Sequence, residues 1–151
     1  MSVGRICSRV VATATPGETV RTAARRMADN DVGTLVILDA DGTRPAIGIV
    51  TDRDVAIRGV ASGLDLDRTP VSQIMTTPVH SVNESMPIEQ ALARMANSAT
   101  RRLLVTGDLD RPVGILSLDD VLHLLSAEAG SIGRLLGTQQ AHVRGEPSSL
   151  V

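Results

Sequence analysis

Two seven-residue stretches hold the side chains best suited to chemistry. Gly48-Ile49-Val50-Thr51-Asp52-Arg53-Asp54 recurs as Gly114-Ile115-Leu116-Ser117-Leu118-Asp119-Asp120. In each copy an apolar run meets a hydroxyl residue, and an aspartate follows three positions later. The apolar run predicts a buried strand. The hydroxyl residue predicts the N-cap of a helix with the aspartate at N3, a variant of the capping box. Such a strand-to-helix corner gathers backbone N–H groups, a hydroxyl and a carboxylate at one point. That combination suits a phosphate together with a sugar diol. Capping boxes are common, and one copy alone would be read as nothing more. Two copies inside a longer repeat point to a site.

The elements that must position these corners repeat as well. Val20, Ala23, Ala24, Met27 and Ala28 form one apolar helical stripe. Ile88, Ala91, Leu92, Met95 and Ala96 form a second, each 68 residues after its counterpart. Five matches at one offset define an internal duplication. Thr34 to Leu38 and Leu103 to Thr106 read as buried strands. Asp39-Ala40-Asp41-Gly42 is a turn signal, and the matching turn, Gly107-Asp108-Leu109-Asp110, sits in a segment two residues shorter. The offset is 66 thereafter, as a deletion in a loop would leave it. Val10 to Thr15 and Val79 to Val82 read as the opening strands, and Ile6 and Val10 as the packing residues of a lead-in. Thr69 and Pro70 suggest an N-cap and N1 pair for a short helix through Met75. Each unit is therefore strand, helix, strand, strand, helix. Units of about sixty residues bury little alone, so the two should pack together. The expected division is 5–62, a linker and lead-in at 63–78, 79–127, and a C-terminal tail at 128–151 that is loose from residue 137.

Composition narrows the chemistry. Apolar residues make up 42% of the 151, yet there is no Phe, Tyr or Trp, so the core must be aliphatic. All fifteen basic residues are arginine, which removes Schiff-base chemistry and a P-loop lysine. A net charge of -2 without long like-charge runs, and the lack of stacking aromatics, argue against nucleic acid. Cys7 is the only cysteine, so no intramolecular disulfide can form. His80, His123 and His142 lack metal-ligand spacing and suit surface or packing roles. No signal-peptide pattern or membrane-length apolar run is visible, and the expected location is the cytoplasm.

The order of elements, the tandem copy and the two G-h-h-[ST]-x-x-D corners resemble a CBS-domain pair, the module named after cystathionine β-synthase. Ser72-Gln73-Ile74-Met75-Thr76-Thr77-Pro78-Val79 looks like that family's lead-in to a repeat. Arg58-Gly59-Val60-Ala61-Ser62-Gly63-Leu64-Asp65 is similar to the small stand-alone bacterial pairs called hypoxic response proteins. The resemblance covers roughly residues 5 to 127. It implies an α+β fold with pseudo-two-fold symmetry, two clefts and a disc-like homodimer. It also implies an adenine nucleotide or adenosyl ligand: AMP, ATP or S-adenosylmethionine. By that match Asp54 and Asp120 contact the ribose, Thr51 and Ser117 contact phosphate, and Val11, Ala12, Thr77 and Val79 line the base pocket. Arg53, Arg101 and Arg102 are candidate phosphate neutralisers, since guanidinium matches phosphate bidentately. For Arg101 and Arg102, a solvated charge at a helix end or edge is the competing reading.

The expected function is a non-catalytic regulatory module in which a ligand shifts a dimer that a partner reads. The alternative is a dimeric interaction protein with vestigial clefts, suggested by an apolar last helix around Val121 to Leu125. An enzyme is poorly supported, because no Ser/His/Asp or Cys/His set is visible.

Overall fold

A computed structural model describes residues 1–39 and 45–143 of the chain. Met1–Ser117 form one compact unit, and a second begins at Leu118. In the first repeat β1 (Thr13–Ala14) leads into α1 (Val20–Asp29), followed by β2 (Thr34–Ile37) and β3 (Gly48–Thr51). In the second, β4 (Ser81–Asn83), α3 (Ile88–Asn97), β5 (Arg102–Thr106) and β6 (Pro112–Ser117) follow the same plan. After β3 come α2 (Asp52–Asp54) and a π-helical stretch, Val55–Val60; after β6 comes α4 (Leu118–Val143). Each sheet has three strands, in the orders β1-β2-β3 and β4-β5-β6. The first pair in each is parallel, crossed over by the helix, and the second antiparallel.

The striped residues fall where the period puts them. Val20, Ala23 and Met27 are buried on α1, and Ile88, Ala91 and Met95 on α3. In the first repeat they pack with Leu35, Ile37 and Val50 from the sheet. The same cluster contains Val71 and Ile74, which precede the second repeat.

That last contact is one half of an exchange. The lead-in to the second repeat pairs with the first: Val20 N–H donates to the Thr69 carbonyl at 2.9 Å, Val71 N–H to Glu18 at 2.7 Å and Ser72 N–H to Pro16 at 3.2 Å. The N-terminus pairs with the second repeat through three equivalent bonds. Ile88 N–H donates to the Met1 carbonyl at 3.0 Å, Val3 N–H to Met86 at 2.9 Å, and Gly4 N–H to Glu84 at 2.8 Å. Thr76 then exchanges two bonds with Ile49 of β3 (2.7 and 3.1 Å), and Ser8 two with Ile115 of β6 (2.9 Å each). Every one of these contacts maps onto its counterpart by the repeat offset. The crossings are close, which explains the glycine that opens each corner. A Cβ on Gly114 would stand 2.7 Å from the Ser8 carbonyl oxygen and 2.8 Å from Cys7 Sγ. One on Gly48 would run into Met75 Sδ.

Several expectations need correction. The opening strands are shorter than Val10 to Thr15 and Val79 to Val82, and Val79 lies ahead of β4. Val10 is exposed; the lead-in buries Val3 and Cys7 instead. Pro70 is not an N1 residue but an extended N-cap with ψ of 146°, held by its bridge to Thr19, and Val71–Gln73 form a 3-10 turn. The tail does not loosen at residue 137, because α4 continues to Val143. Gly137 costs a helix about 1 kcal/mol but does not stop it, and no proline intervenes before Pro147. Most of the turn at Asp39 to Gly42 lies outside the described residues.

Between β1 and α1 sits an ion pair, Arg26 Nη2 to Glu18 Oε2 at 2.7 Å. Burial pushes the Glu18 carboxyl up. The Thr15 N–H, Arg26 and the Thr15 hydroxyl together outweigh that, leaving it below its ordinary value of 4.5. A carboxyl lowered by folding stabilises the protein above its unfolded value and loses that contribution as pH falls through its folded value. Thermal melts by far-UV circular dichroism should therefore fall with pH below about 4.5, and Glu18→Gln should flatten the slope. The glycines give a second expectation. Gly114→Ala must displace backbone and should cost about 1–3 kcal/mol. Gly48→Ala meets the end of a flexible methionine and should cost less in the same melts.

Candidate functional site

The first corner forms because Thr51 ends β3 in extended backbone (φ -114°, ψ 163°) while its side chain starts the helix. Asp54 N–H donates to Thr51 Oγ1 at 3.2 Å. In return Asp54 Oδ2 accepts from Thr51 N–H at 2.8 Å and from the Thr51 hydroxyl at 2.9 Å. The capping box is complete, with aspartate in the place that glutamate usually takes. It fixes the carboxylate as well as the backbone. The Asp54 side chain is only 14% exposed. With Oδ2 occupied, Oδ1 is the oxygen turned to other partners.

Arg58 Nε lies 3.6 Å from Asp54 Oδ1. Its Nη1 also donates to the carbonyls of Ile74 (3.1 Å) and Met75 (3.3 Å) and to Thr76 Oγ1 (3.3 Å). One guanidinium thus joins the corner of the first repeat to the lead-in of the second. Arg58 falls in the π-helical stretch, where one extra residue per turn re-aims side chains. The local sequence held only half of this role. The four-residue step from Asp54 was readable, but the partners at 74–76 come from elsewhere in the chain.

The other predicted residues divide. Thr77 follows Thr76, whose backbone pairs with Ile49 of β3, and Val79 lies between it and β4. Val11 and Ala12 follow Ser8, and the Ala12 carbonyl accepts from Val36 N–H at 2.9 Å. Arg53 is exposed, its backbone N–H donating to Asp52 Oδ1 at 2.8 Å. Arg102 opens β5 opposite Ser117 in the antiparallel register, so it stands next to the second corner's hydroxyl residue. Its counterpart pair in the first repeat is Thr34 and Thr51. Arg101 is exposed beside it. Ser117 closes β6, and Asp120 falls in the first turn of α4.

The family model that describes the CBS domain matches this chain twice, at residues 3–59 and 71–127. The chain belongs to the CBS-domain family. Among its relatives is the CBS domain-containing protein YhcV of Bacillus subtilis, 36% identical over 87% of this chain and 92% of that one. Hypoxic response protein 1 of Mycobacterium tuberculosis is 31% identical over 74% of this chain and 76% of its own length. An uncharacterized protein of Methanopyrus kandleri, MK0525, is 34% identical over 82% of this chain, which spans only 62% of that relative. Among solved structures, the CBS domain protein PAE2072 of Pyrobaculum aerophilum complexed with AMP aligns with a TM-score of 0.71 at 28% identity, covering 80% of this chain and 89% of that one. The CBS domain pair of protein MJ0100, in complex with 5′-methylthioadenosine and S-adenosyl-L-methionine, aligns with a TM-score of 0.74 at 25% identity, covering 85% and 98%. These matches bear out the α+β tandem fold and the likeness to hypoxic response proteins.

Thr51→Val should destabilise the protein by about 0.5–2 kcal/mol, the range for losing a side-chain cap. Urea denaturation followed by circular dichroism should show a lower midpoint at unchanged slope.

Proposed function

We propose that the chain is a non-catalytic regulatory module that binds an adenosine-containing ligand, AMP, ATP or S-adenosylmethionine, at its corners. The observation that carries this reading is the Asp54 carboxylate. Its Oδ2 is held by Thr51, and its Oδ1 faces Arg58 Nε at 3.6 Å, within one turn of a hydroxyl and of Arg53. An acceptor fixed in advance binds a ribose diol without first being ordered. The arginines supply charge for a phosphate or carboxylate group. Support comes from the relatives whose structures hold AMP, or methylthioadenosine and S-adenosylmethionine, at 28% and 25% identity. Ser117 and Asp120 enter the proposal through the repeated motif, Arg101 and Arg102 through their place at the start of β5, and Val11, Ala12, Thr77 and Val79 as base-pocket residues. The cytoplasm is the proposed location; among the described residues no helix is long and apolar enough to cross a membrane.

A second reading is a dimeric interaction protein. It is favoured by the exposed Leu125, Ile132, Leu135 and Leu136 along α4, a row too apolar for a helix that meets only water. The first reading also takes the protein as a homodimer. A monomer in sedimentation that binds nucleotide tightly would remove the second reading.

The missing aromatics make the test direct. The protein should be nearly transparent between about 250 and 290 nm, so a band near 260 nm after removal of nucleic acid would belong to a retained ligand, which acid extraction and chromatography would name. Calorimetry with AMP, ATP and S-adenosylmethionine covers exchangeable binding. Asp54→Ala and Asp120→Ala are expected to weaken binding about tenfold or more at their own corners. Unchanged affinity in both variants would refute the site assignment.

A further inference from the structure

The two repeats carry the same arginine at the same place on their first helix but surround it differently. Arg26 of α1 and Arg94 of α3 are 68 positions apart, the offset of the duplication. Arg26 is met by a carboxylate of its own repeat. Its Nη2 lies 2.7 Å from Glu18 Oε2, and its Nη1 donates to Glu18 Oε1 at 3.0 Å and to the Thr13 carbonyl at 2.6 Å. The pair is an ion pair carrying one charge-assisted hydrogen bond, from Nη1 to Oε1. The first repeat is thus a carboxylate receptor with its carboxylate built in.

The second repeat keeps the receptor and lacks the occupant. The counterpart of Glu18 is Met86, that of Asp29 is Asn97, and that of Ala12 is His80. Two acids are gone and a base has been added. The Arg94 guanidinium makes no ion pair or hydrogen bond among the described residues. Beside it lies a shallow cleft of about 600 Å³, wide open to solvent and lined by His80, Met86, Gln90, Arg94, Asn97 and Ser98. No acidic residue lines it. The amides of Gln90 and Asn97 add donors to the guanidinium, and Met86 and Ala93 add apolar wall.

We infer that this cleft binds the carboxylate of a small molecule, which takes at Arg94 the place Glu18 holds at Arg26. It shares no residue with the Thr51–Asp54 corner, so the inference stands whatever that corner binds.

The test is a titration of the ¹⁵N-labelled full chain with glutarate, the side chain of Glu18 made into a free diacid, at ionic strength held constant with chloride. Saturable shifts are expected at the amides of His80, Gln90, Arg94, Asn97 and Ser98 and at the Arg94 Nε–H, with residues 48–58 unmoved. Arg94→Gln should weaken binding about tenfold or more, the loss expected for a charge-assisted contact. Met86→Glu should restore the internal pair: the Arg94 Nε–H should shift without glutarate, and glutarate should then bind no longer. Shifts spread over all arginines, shifts that persist in both variants, or no saturable shift at all would each overturn the inference.

Discussion

The structure depends on a backbone exchange between the repeats. Each lead-in leaves its own repeat, adds hydrogen bonds to the other repeat's helix start and then lies along the other repeat's last strand. The bonds at Ile49–Thr76 and Ile115–Ser8 are the reciprocal part of that exchange, each pair of residues donating and accepting in turn. A neutral hydrogen bond contributes only about 0.5–1.5 kcal/mol net, so no single one holds the pair. The set works because it carries apolar side chains with it. Val71 and Ile74 are fully buried in the first repeat's core, and Val3 is fully buried too. A repeat without the other's lead-in would expose its core and leave the edge of β3 or β6 unpaired. The two repeats therefore fold as one body rather than as two linked domains.

The same exchange sets the geometry of the corner. Met75 crosses Gly48 at the start of the strand whose end is Thr51. The chain then runs through Thr76, where Arg58 reaches it. The carboxylate of Asp54 is consequently connected by one side chain to the segment that opens the second repeat. A change in the charge facing Asp54 Oδ1 acts on a guanidinium that also holds three oxygens of that segment. Rigid backbone at the crossing, and a partly exposed arginine at the junction, give the corner a mechanical link to the other repeat.

What could be read from the sequence was whatever repeats locally. The stripes at Val20 and Ile88, the hydroxyl-to-aspartate step and the order of elements all follow from short-range periodicity and capping, and the structure contains them. The glycines were visible as part of a motif, but their cause was not. Gly114 is required by a carbonyl at Ser8, more than a hundred positions away, and no local rule connects the two. Arg58 was only half visible for the same reason: its partners at 74–76 arrive through the exchange. Pro70 was misread because the rule for a helix start was applied where a bridge to Thr19 decides the backbone. The length of α4 was misjudged because the polar composition from residue 137 onward, with Gly145, Pro147, Ser148 and Ser149, read as a loose tail, whereas the helix continues to Val143 before those residues are reached.

Duplication supplied two copies of every part, and the copies have since diverged in charge more than in shape. The first corner draws its cations from the helical side, at Arg53 and Arg58. At the second corner the residue matching Arg58 is Leu124, and a cation stands instead on the strand side, where Arg102 faces Ser117. Around the helices α1 and α3, Glu18 and Asp29 of the first repeat are matched by Met86 and Asn97 of the second, while the arginine, Arg26 or Arg94, is common to both. Backbone exchange constrains the residues at the crossings, since a Cβ at position 114 would meet backbone and one at position 48 would have to push the Met75 side chain aside. It places no such constraint on side chains that point away from the crossings. Divergence is accordingly concentrated in the charged residues around the corners and on the helix faces, where it changes what each half can bind without disturbing how the halves hold together.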